Sequence, residues 1–193
     1  MSKRIHIFGA SGSGTTTLAQ ALSEALHCKH FDTDHYFWLE TDPPFQIIRE
    51  RVERQKILQL DLSQTDSWVL SGSLCGWGDF TMPMFDLVVF LWLPMEVRMQ
   101  RLKMREIARY GPDIENPCFP MYSHHIEFLD WAAAYDSGGP DMRSKSCHEN
   151  WIATLPCPLV RIEQDISIEE KVALVLSQLN TGSTNPSIRT LSL

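Results

Sequence analysis

At 193 residues, with 44% apolar and 21% charged residues, the chain is sized and composed for one globular domain, or one domain with a mobile insert. Its 17 basic and 24 acidic residues leave a formal charge of −7, so a nucleic-acid partner would need a local basic patch to overcome it. The longest apolar run, Leu87–Leu93, falls far short of the about 20 residues that cross a bilayer, which argues against a membrane role.

Met1-Ser2-Lys3-Arg4 lacks the pattern of a signal peptide and leads at once into a short apolar strand, Arg4–Phe8. A helix is predicted over Thr15–Ala25, with Leu18, Leu22 and Leu26 on one face. His30–Asp32 reads as a brief strand ending in acid, residues 35–45 as an aromatic loop containing proline, and Gln46–Asp61 as a helix. Trp68–Leu70 is a strand that runs into Ser71-Gly72-Ser73, and Leu87–Leu93 predicts a central strand buried on both faces. Pro94 opens a long basic helix to about Tyr110, proline being suited to a first helical turn. Residues 111–122 hold three Pro and one Gly, the composition of a mobile loop. Helices over Ser123–Tyr135 and Ser144–Leu155 flank the turn Ser137-Gly138-Gly139-Pro140. Leu159–Ile162 is a fifth strand and Ser167–Leu179 the closing helix, while the polar, aperiodic residues 181–193 are expected to be disordered. There are no internal repeats. This alternation of strand and helix predicts an α/β fold with a parallel sheet and crossover helices. Cysteines 28, 75, 118, 147 and 157, odd in number and without a Cys-x-x-Cys pair, predict reduced thiols and a cytoplasmic setting.

Gly9-Ala10-Ser11-Gly12-Ser13-Gly14-Thr15-Thr16 has the spacing of the phosphate-binding loop, between a strand and a helix as that motif requires. Glycines let the backbone curl so that several N–H groups converge on phosphate oxygens, and the following helix adds its positive end. Gly9–Thr17 is therefore the predicted nucleotide site, with Thr16 and Thr17 opening the helix and Thr16 supplying the hydroxyl that ligates magnesium. One position departs. Thr15 stands where the motif has lysine, the residue that neutralises the β- and γ-phosphates as the transferred group loosens. Threonine offers a hydrogen bond and no charge, a loss of about 2–4 kcal/mol by comparison with other electrostatic catalytic donors.

Phe31-Asp32-Thr33-Asp34 ends the second strand, and in an open α/β sheet the carboxyl ends of strands face the ligand crevice. Asp32 is placed to hold the magnesium through water, and Asp34 to accept a proton from an acceptor hydroxyl. The competing explanation is a pair of turn-forming or helix-capping aspartates.

With these features in order, the chain resembles the small P-loop kinases, the group of shikimate kinase, gluconate kinase and adenylate-kinase-like proteins. Its overall look is closest to a set of bacterial adenylate-kinase-like ATPases whose loop also reads Gly-Ser-Gly-Thr. The resemblance follows the order of elements over about residues 3–180, though only the first loop is a specific motif. It implies a three-layer fold with helices on both faces of a five-stranded parallel sheet, order 2-3-1-4-5. It further implies one domain over 1–180, with an acceptor-binding insert at about 35–66 and a lid at about 105–145. Many relatives carry an acid at the end of the third strand; here that strand runs into Ser71, which leaves the metal to Asp32. Ser71, Gly72 and Ser73 would line the acceptor place together with Asp34.

A replacement for the missing lysine charge is sought on the helix after Pro94. Arg98, Arg101, Arg105 and Arg109 are spaced along one helical face, a pattern that also marks a plain solvated surface. The resembled kinases put lid arginines here, and Arg105 and Arg109 are the expected catalytic ones; Arg143 and Lys145, beyond the Gly-Gly-Pro turn, would approach from the far edge of the lid. Tyr36, Phe37, Trp38 and Trp77 serve either as packing or as a stacking surface for the acceptor. Arg49, Arg51 and Arg54 suit an anionic acceptor, although Arg49–Glu53 and Glu50–Arg54 can also pair as ordinary i,i+4 ions. Cys118, His124, His125, Cys147 and His148 lack the short paired spacing of structural zinc, and no zinc is expected. The expected function is transfer of a phosphoryl group from ATP, with Mg²⁺, to a small-molecule or nucleotide acceptor. The alternative is a nucleotide-binding regulator or slow ATPase in which Thr15 marks lost catalytic power.

Overall fold

The computed structural model describes residues 3–181 and 189–190. Its single sheet contains β1 (Arg4–Gly9), β2 (Lys29–Asp32), β3 (Trp68–Ser71), β4 (Leu87–Leu91), β5 (Leu159–Ile162) and β6 (Arg189–Thr190). The strands lie in the order β2-β3-β1-β4-β5-β6, and every pairing is parallel. The expected five-strand order is thus present. The short β6 adds to it, pairing Val160 with Arg189 and Arg161 with Thr190 where regular structure was not expected. Residues 182–188 and 191–193, also expected to be disordered, lie outside the described residues.

The chain divides into two compact units. The first runs through Gly9, then Gly14–Leu91, then from Leu155 onward, and holds the whole sheet. Strand alternation sends Ile5, Ile7, Val69, Val89, Leu91, Val160 and Ile162 into one core. They meet Leu18, Ala19 and Leu22 of α1 (Thr15–Leu26) and Val175 of α7 (Ile168–Thr181). Full burial of a leucine such as Leu18 or Leu22 contributes about 1.5–3 kcal/mol. On alternate positions His6 stacks on Phe8 and Phe85, with ring centroids 5.4 and 4.9 Å away. Burial pulls the His6 imidazole down to about 3, against a hydrogen bond with the Leu70 carbonyl that acts the other way.

Two short departures from the expected elements matter for the site. A five-residue helix, α2 (Thr33–Phe37), starts directly at the end of β2, because the Asp32 carboxylate accepts the Asp34 N–H and caps it. The next helix, α3 (Arg51–Ser63), begins five residues after Gln46, where Glu50 caps it by accepting the Glu53 N–H. The Tyr36 hydroxyl donates to Asp61 across 2.9 Å and ties α2 to α3.

The second unit comprises Ala10–Ser13 and Trp92–Thr154. It contains α4 (Met95–Tyr110), α5 (Tyr122–Ala133) and α6 (Lys145–Ile152) around a small core of Leu102, Leu129 and Ala132. The stretch 111–122, expected to be a mobile loop, includes a 3₁₀ turn at Pro112–Glu115 with Ile114 fully buried. Among the described residues no helix is long and apolar enough to cross a membrane, and none of the five cysteines is in a disulfide.

Candidate functional site

The loop after β1 holds its shape by backbone geometry. Gly12 and Gly14 adopt φ of 83° and 94°, the left-handed region that other residues rarely occupy. A Cβ on Gly12 would also lie 2.8 Å from the Arg98 carbonyl oxygen. The Ser13 hydroxyl and N–H both donate to the Ala10 carbonyl, at 2.7 and 3.1 Å, closing the turn. Gly14 caps α1 without a side-chain bond, and no acidic residue occupies the helix's first turn. That leaves the first N–H groups and the positive end of the dipole for an anion. Thr15 is half-buried, and Thr16 and Thr17 are exposed.

Parallel register gathers the next residues. Ile7 pairs with Ser71, and Ser71 with Asp32, so the carboxyl ends of β1, β3 and β2 lie side by side. The Thr16 hydroxyl donates to Asp32 Oδ2 across 2.9 Å, and the Ser71 hydroxyl donates to the same oxygen across 3.0 Å. His30 Nε2 lies 2.9 Å from Ser71 Oγ. Because Ser71 gives its proton to Asp32, Nε2 must carry the proton of this contact. Burial lowers the His30 pKa, Asp32 opposing and His35 reinforcing the shift, so the ring is neutral near pH 7. A chain of donors, His30 to Ser71 to Asp32, thus aims one carboxylate. This relay was not legible in the sequence, since His30 and Ser71 are 41 positions apart.

A hydroxyl and a carboxylate this close fit magnesium, which takes few protein oxygens and fills its remaining positions with phosphate and water. Among the described residues no three His, Cys, Asp or Glu side chains group as a metal-holding set, as an all-protein cage would require.

The expected acceptor residues divide by position. Asp34 is exposed in the first turn of α2. Ser71 and Ser73 are buried, Ser71 completely, and the Ser71 hydroxyl faces Asp32 and His30. Gly72, at φ 99°, turns the chain where a Cβ would lie 1.9 Å from the Thr33 hydroxyl, and its N–H donates to the Ile7 carbonyl. The Ser73 carbonyl accepts the Trp77 indole N–H at 3.0 Å.

The aromatic segment surrounds an arginine. Of the two possible ion pairs at the start of α3, Arg49–Glu53 forms at 3.1 Å, and Arg49 also donates to the Tyr36 and Trp38 carbonyls. The Glu50 carboxylate caps α3 by accepting the Glu53 N–H, and its charge still acts favourably on Arg54. Arg54 is 9% exposed, with its guanidinium 4.3 Å from the Phe37 ring centroid and 5.1 Å from that of Trp77. Its Nε and Nη1 are buried with no hydrogen-bond partner.

The arginines of α4 do not form one solvated stripe. Arg98 is fully buried: Nε donates to the Leu93 carbonyl, Nη1 to that of Ala132, and Nη2 meets Asp136 at 2.5 Å. It is a structural clamp that the spacing pattern could not distinguish from a lid arginine, because its acid partner lies 38 positions away. Arg101 is exposed. Arg105 and Arg109 lie 3.9 and 3.3 Å from Glu106, a buried carboxylate that also has His125 at 3.9 Å. Arg143 rests 5.2 Å from the Trp131 ring, and Lys145 lies 4.3 Å from that of Trp92.

The family model described as an AAA domain matches residues 5–116. A Bacillus subtilis (strain 168) relative, Uncharacterized protein YqaC, is 47% identical over 182 residues, covering 94% of this chain and 100% of the relative. The shikimate kinase of Bacteroides thetaiotaomicron aligns with a TM-score of 0.56 at 19% identity, over 92% of this chain and 98% of that one. The Acinetobacter baumannii shikimate kinase, solved in complex with shikimate, aligns with a TM-score of 0.52 at 15% identity, over 96% and 97%. At these identities the two solved structures carry the fold alone.

Proposed function

The chain belongs to the AAA-domain family and is a small P-loop kinase-like protein, and from that premise we propose that it transfers a phosphoryl group from ATP to a small-molecule acceptor. The observation that carries this reading is the pair Thr16–Asp32, a hydroxyl and a carboxylate 2.9 Å apart beside an uncapped helix N-terminus. The backbone N–H groups of Gly9–Thr17 and the start of α1 bind the phosphates. Thr16 and Asp32 would hold magnesium, which when bound would neutralise phosphate charge. Asp34, exposed two residues beyond Asp32, takes the proton of the acceptor hydroxyl. Gly72 and Ser73 shape the acceptor's floor, while Ser71 holds Asp32 in line. Arg105 or Arg109, drawn from Glu106, brings the positive charge that Thr15 lacks, and Arg143 assists from beyond α5. The test is transfer of the γ-phosphoryl of ATP, with Mg²⁺, to a broad panel of hydroxylated metabolites and nucleotides; transfer to no member would sink the reading.

A second reading is supported by Thr15 itself. A loop without its lysine still binds phosphate through N–H groups but stabilises a loosened phosphoryl group less. On that reading the protein is a nucleotide-binding regulator or slow ATPase, and ATP closes it without an acceptor.

A further inference from the structure

We propose that His30, acting through Ser71, is a positioning residue that sets which metal ion the site prefers. It keeps Asp32 suited to hydrated magnesium and unsuited to calcium, a deepening that rests on the magnesium of the phosphoryl-transfer reading above. Three observations carry it. First, the sheet register builds the contact. Asp32 pairs with Ser71 and His30 with Val69, so His30 and Asp32 share one sheet face with Ser71, and His30 reaches Ser71 on the diagonal. Second, a hydroxyl has one proton to give. Ser71 is completely buried, so solvent does not compete for that proton, and its Oγ lies between His30 Nε2 at 2.9 Å and Asp32 Oδ2 at 3.0 Å. A proton on Nε2 directs the Ser71 proton to Asp32; a proton on Nδ1 would make Nε2 the acceptor and draw it away. Third, Asp32 is nearly full. Oδ2 accepts from both Thr16 and Ser71, and Oδ1 accepts the Asp34 N–H.

That occupancy decides which ion fits. An ionised carboxylate has about four lone-pair positions, and the Thr16, Ser71 and Asp34 donors take three of them. What remains does not allow both oxygens to close on one cation. Calcium gathers about six to eight oxygens and takes carboxylates directly, through one or both oxygens, whereas magnesium sheds water reluctantly and meets protein through few ligands. Asp32 therefore suits a cation that reaches it through water. Thr16, its proton committed to Asp32, keeps its lone pairs for the cation itself. Without the proton from Ser71, Oδ2 would regain a free position and the carboxylate would be open to a bare ion. His30 is half-buried and neutral near pH 7, so it acts through the direction of its proton and adds no charge to the site.

The experiment measures ATP binding to the full-length protein by calorimetry with excess Mg²⁺, with excess Ca²⁺ and with neither. The unaltered protein should bind ATP more tightly with Mg²⁺ than with Ca²⁺. Ser71→Ala and His30→Phe should each narrow that preference at least about tenfold, with metal-free binding changed by less than about threefold. His30→Gln, whose amide N–H replaces the ring donor, should restore the preference, and His30→Phe should add little to Ser71→Ala. An unaltered protein without preference, or a preference unchanged in both variants, would overturn the proposal. Equal losses in all three conditions would overturn it too, since they mark a purely structural role. The ¹⁵N-edited spectrum of the His30 ring near neutral pH, assigned by its loss in His30→Gln, reads the tautomer in the unaltered protein; a proton on Nδ1 rejects the relay. Transfer to no acceptor, with the preference and its loss in the variants intact, would instead remove the phosphoryl-transfer reading and leave the relay standing.

Discussion

Thr16 and Asp32 are joined by a 2.9 Å hydrogen bond, although one opens α1 and the other ends β2. The strand register brings the two chain segments together, and Ser71 steadies the same carboxylate oxygen from β3. An acid at the end of β2 thereby stands beside the loop even though β3 ends in serine. Replacing Asp32 by Asn keeps the volume and removes the charge. In calorimetric titrations Asp32→Asn should lose most of the magnesium dependence of ATP binding, while ATP alone binds about as before. Undiminished magnesium dependence would take Asp32 out of the metal site.

Asp34 makes a separable prediction. Asp34→Asn should lower transfer by about 10²–10⁴, the usual range for a general base, with ATP affinity changed by less than about threefold. Equal losses in both measurements would mean that the residue shapes α2 and takes no proton.

Thr15 offers the converse change. A lysine at this position adds the charge the loop lacks, so Thr15→Lys should raise the turnover rate by about 30-fold or more if electrostatic stabilisation limits it. A rate that stays level in steady-state assays would indicate that Arg105 or Arg109 already supplies the charge.

The buried clamp in α4 predicts a stability effect. Asp136→Ala leaves the fully buried Arg98 without its carboxylate and should cost about 3–5 kcal/mol. Urea unfolding reads this directly. A change under about 1 kcal/mol would mean that the Leu93 and Ala132 carbonyls suffice to hold the charge.

His6 gives the acid limb of stability. Its ring has an ordinary value of 6.5 and titrates at about 3 in the fold, so the unfolded chain takes up the proton first. Its contribution is fully present above about 6.5 and is lost as the pH falls from there towards 3, a change on the order of a few kcal/mol. His6→Phe keeps the stacking on Phe8 and Phe85 and should flatten stability between these values; an unchanged slope in pH-dependent unfolding would assign the acid limb to other groups.

How much of this was legible in the sequence follows the range of each interaction. The glycine-rich loop and the apolar run of β4 are written in local spacing, whereas the strand order was implied only by the family resemblance, and the sheet has that order. The start of α2 was hidden because Asp32 acts at once as strand end and helix cap. Arg98 and Arg105 share one helical spacing, yet one is sealed against Asp136 and the other lies beside Glu106; only the tertiary partner separates them. The Arg54 corner was half visible, in three aromatic residues and a helix rich in arginine. Spacing proposed Glu50 as the partner of Arg54; in the fold Glu50 caps α3, while its charge still acts favourably on Arg54.

The two-residue strand at Arg189–Thr190 has a consequence for association. A strand at a sheet's rim presents unpaired N–H and C=O groups to any chain that can lie alongside. With β6 in place, the rim beyond β5 offers a ladder only two residues long, too short to template a neighbour. A chain cut before Arg189 would leave Leu159–Ile162 as the outermost strand, four residues of which three are buried and apolar, and would invite two copies to join edge to edge.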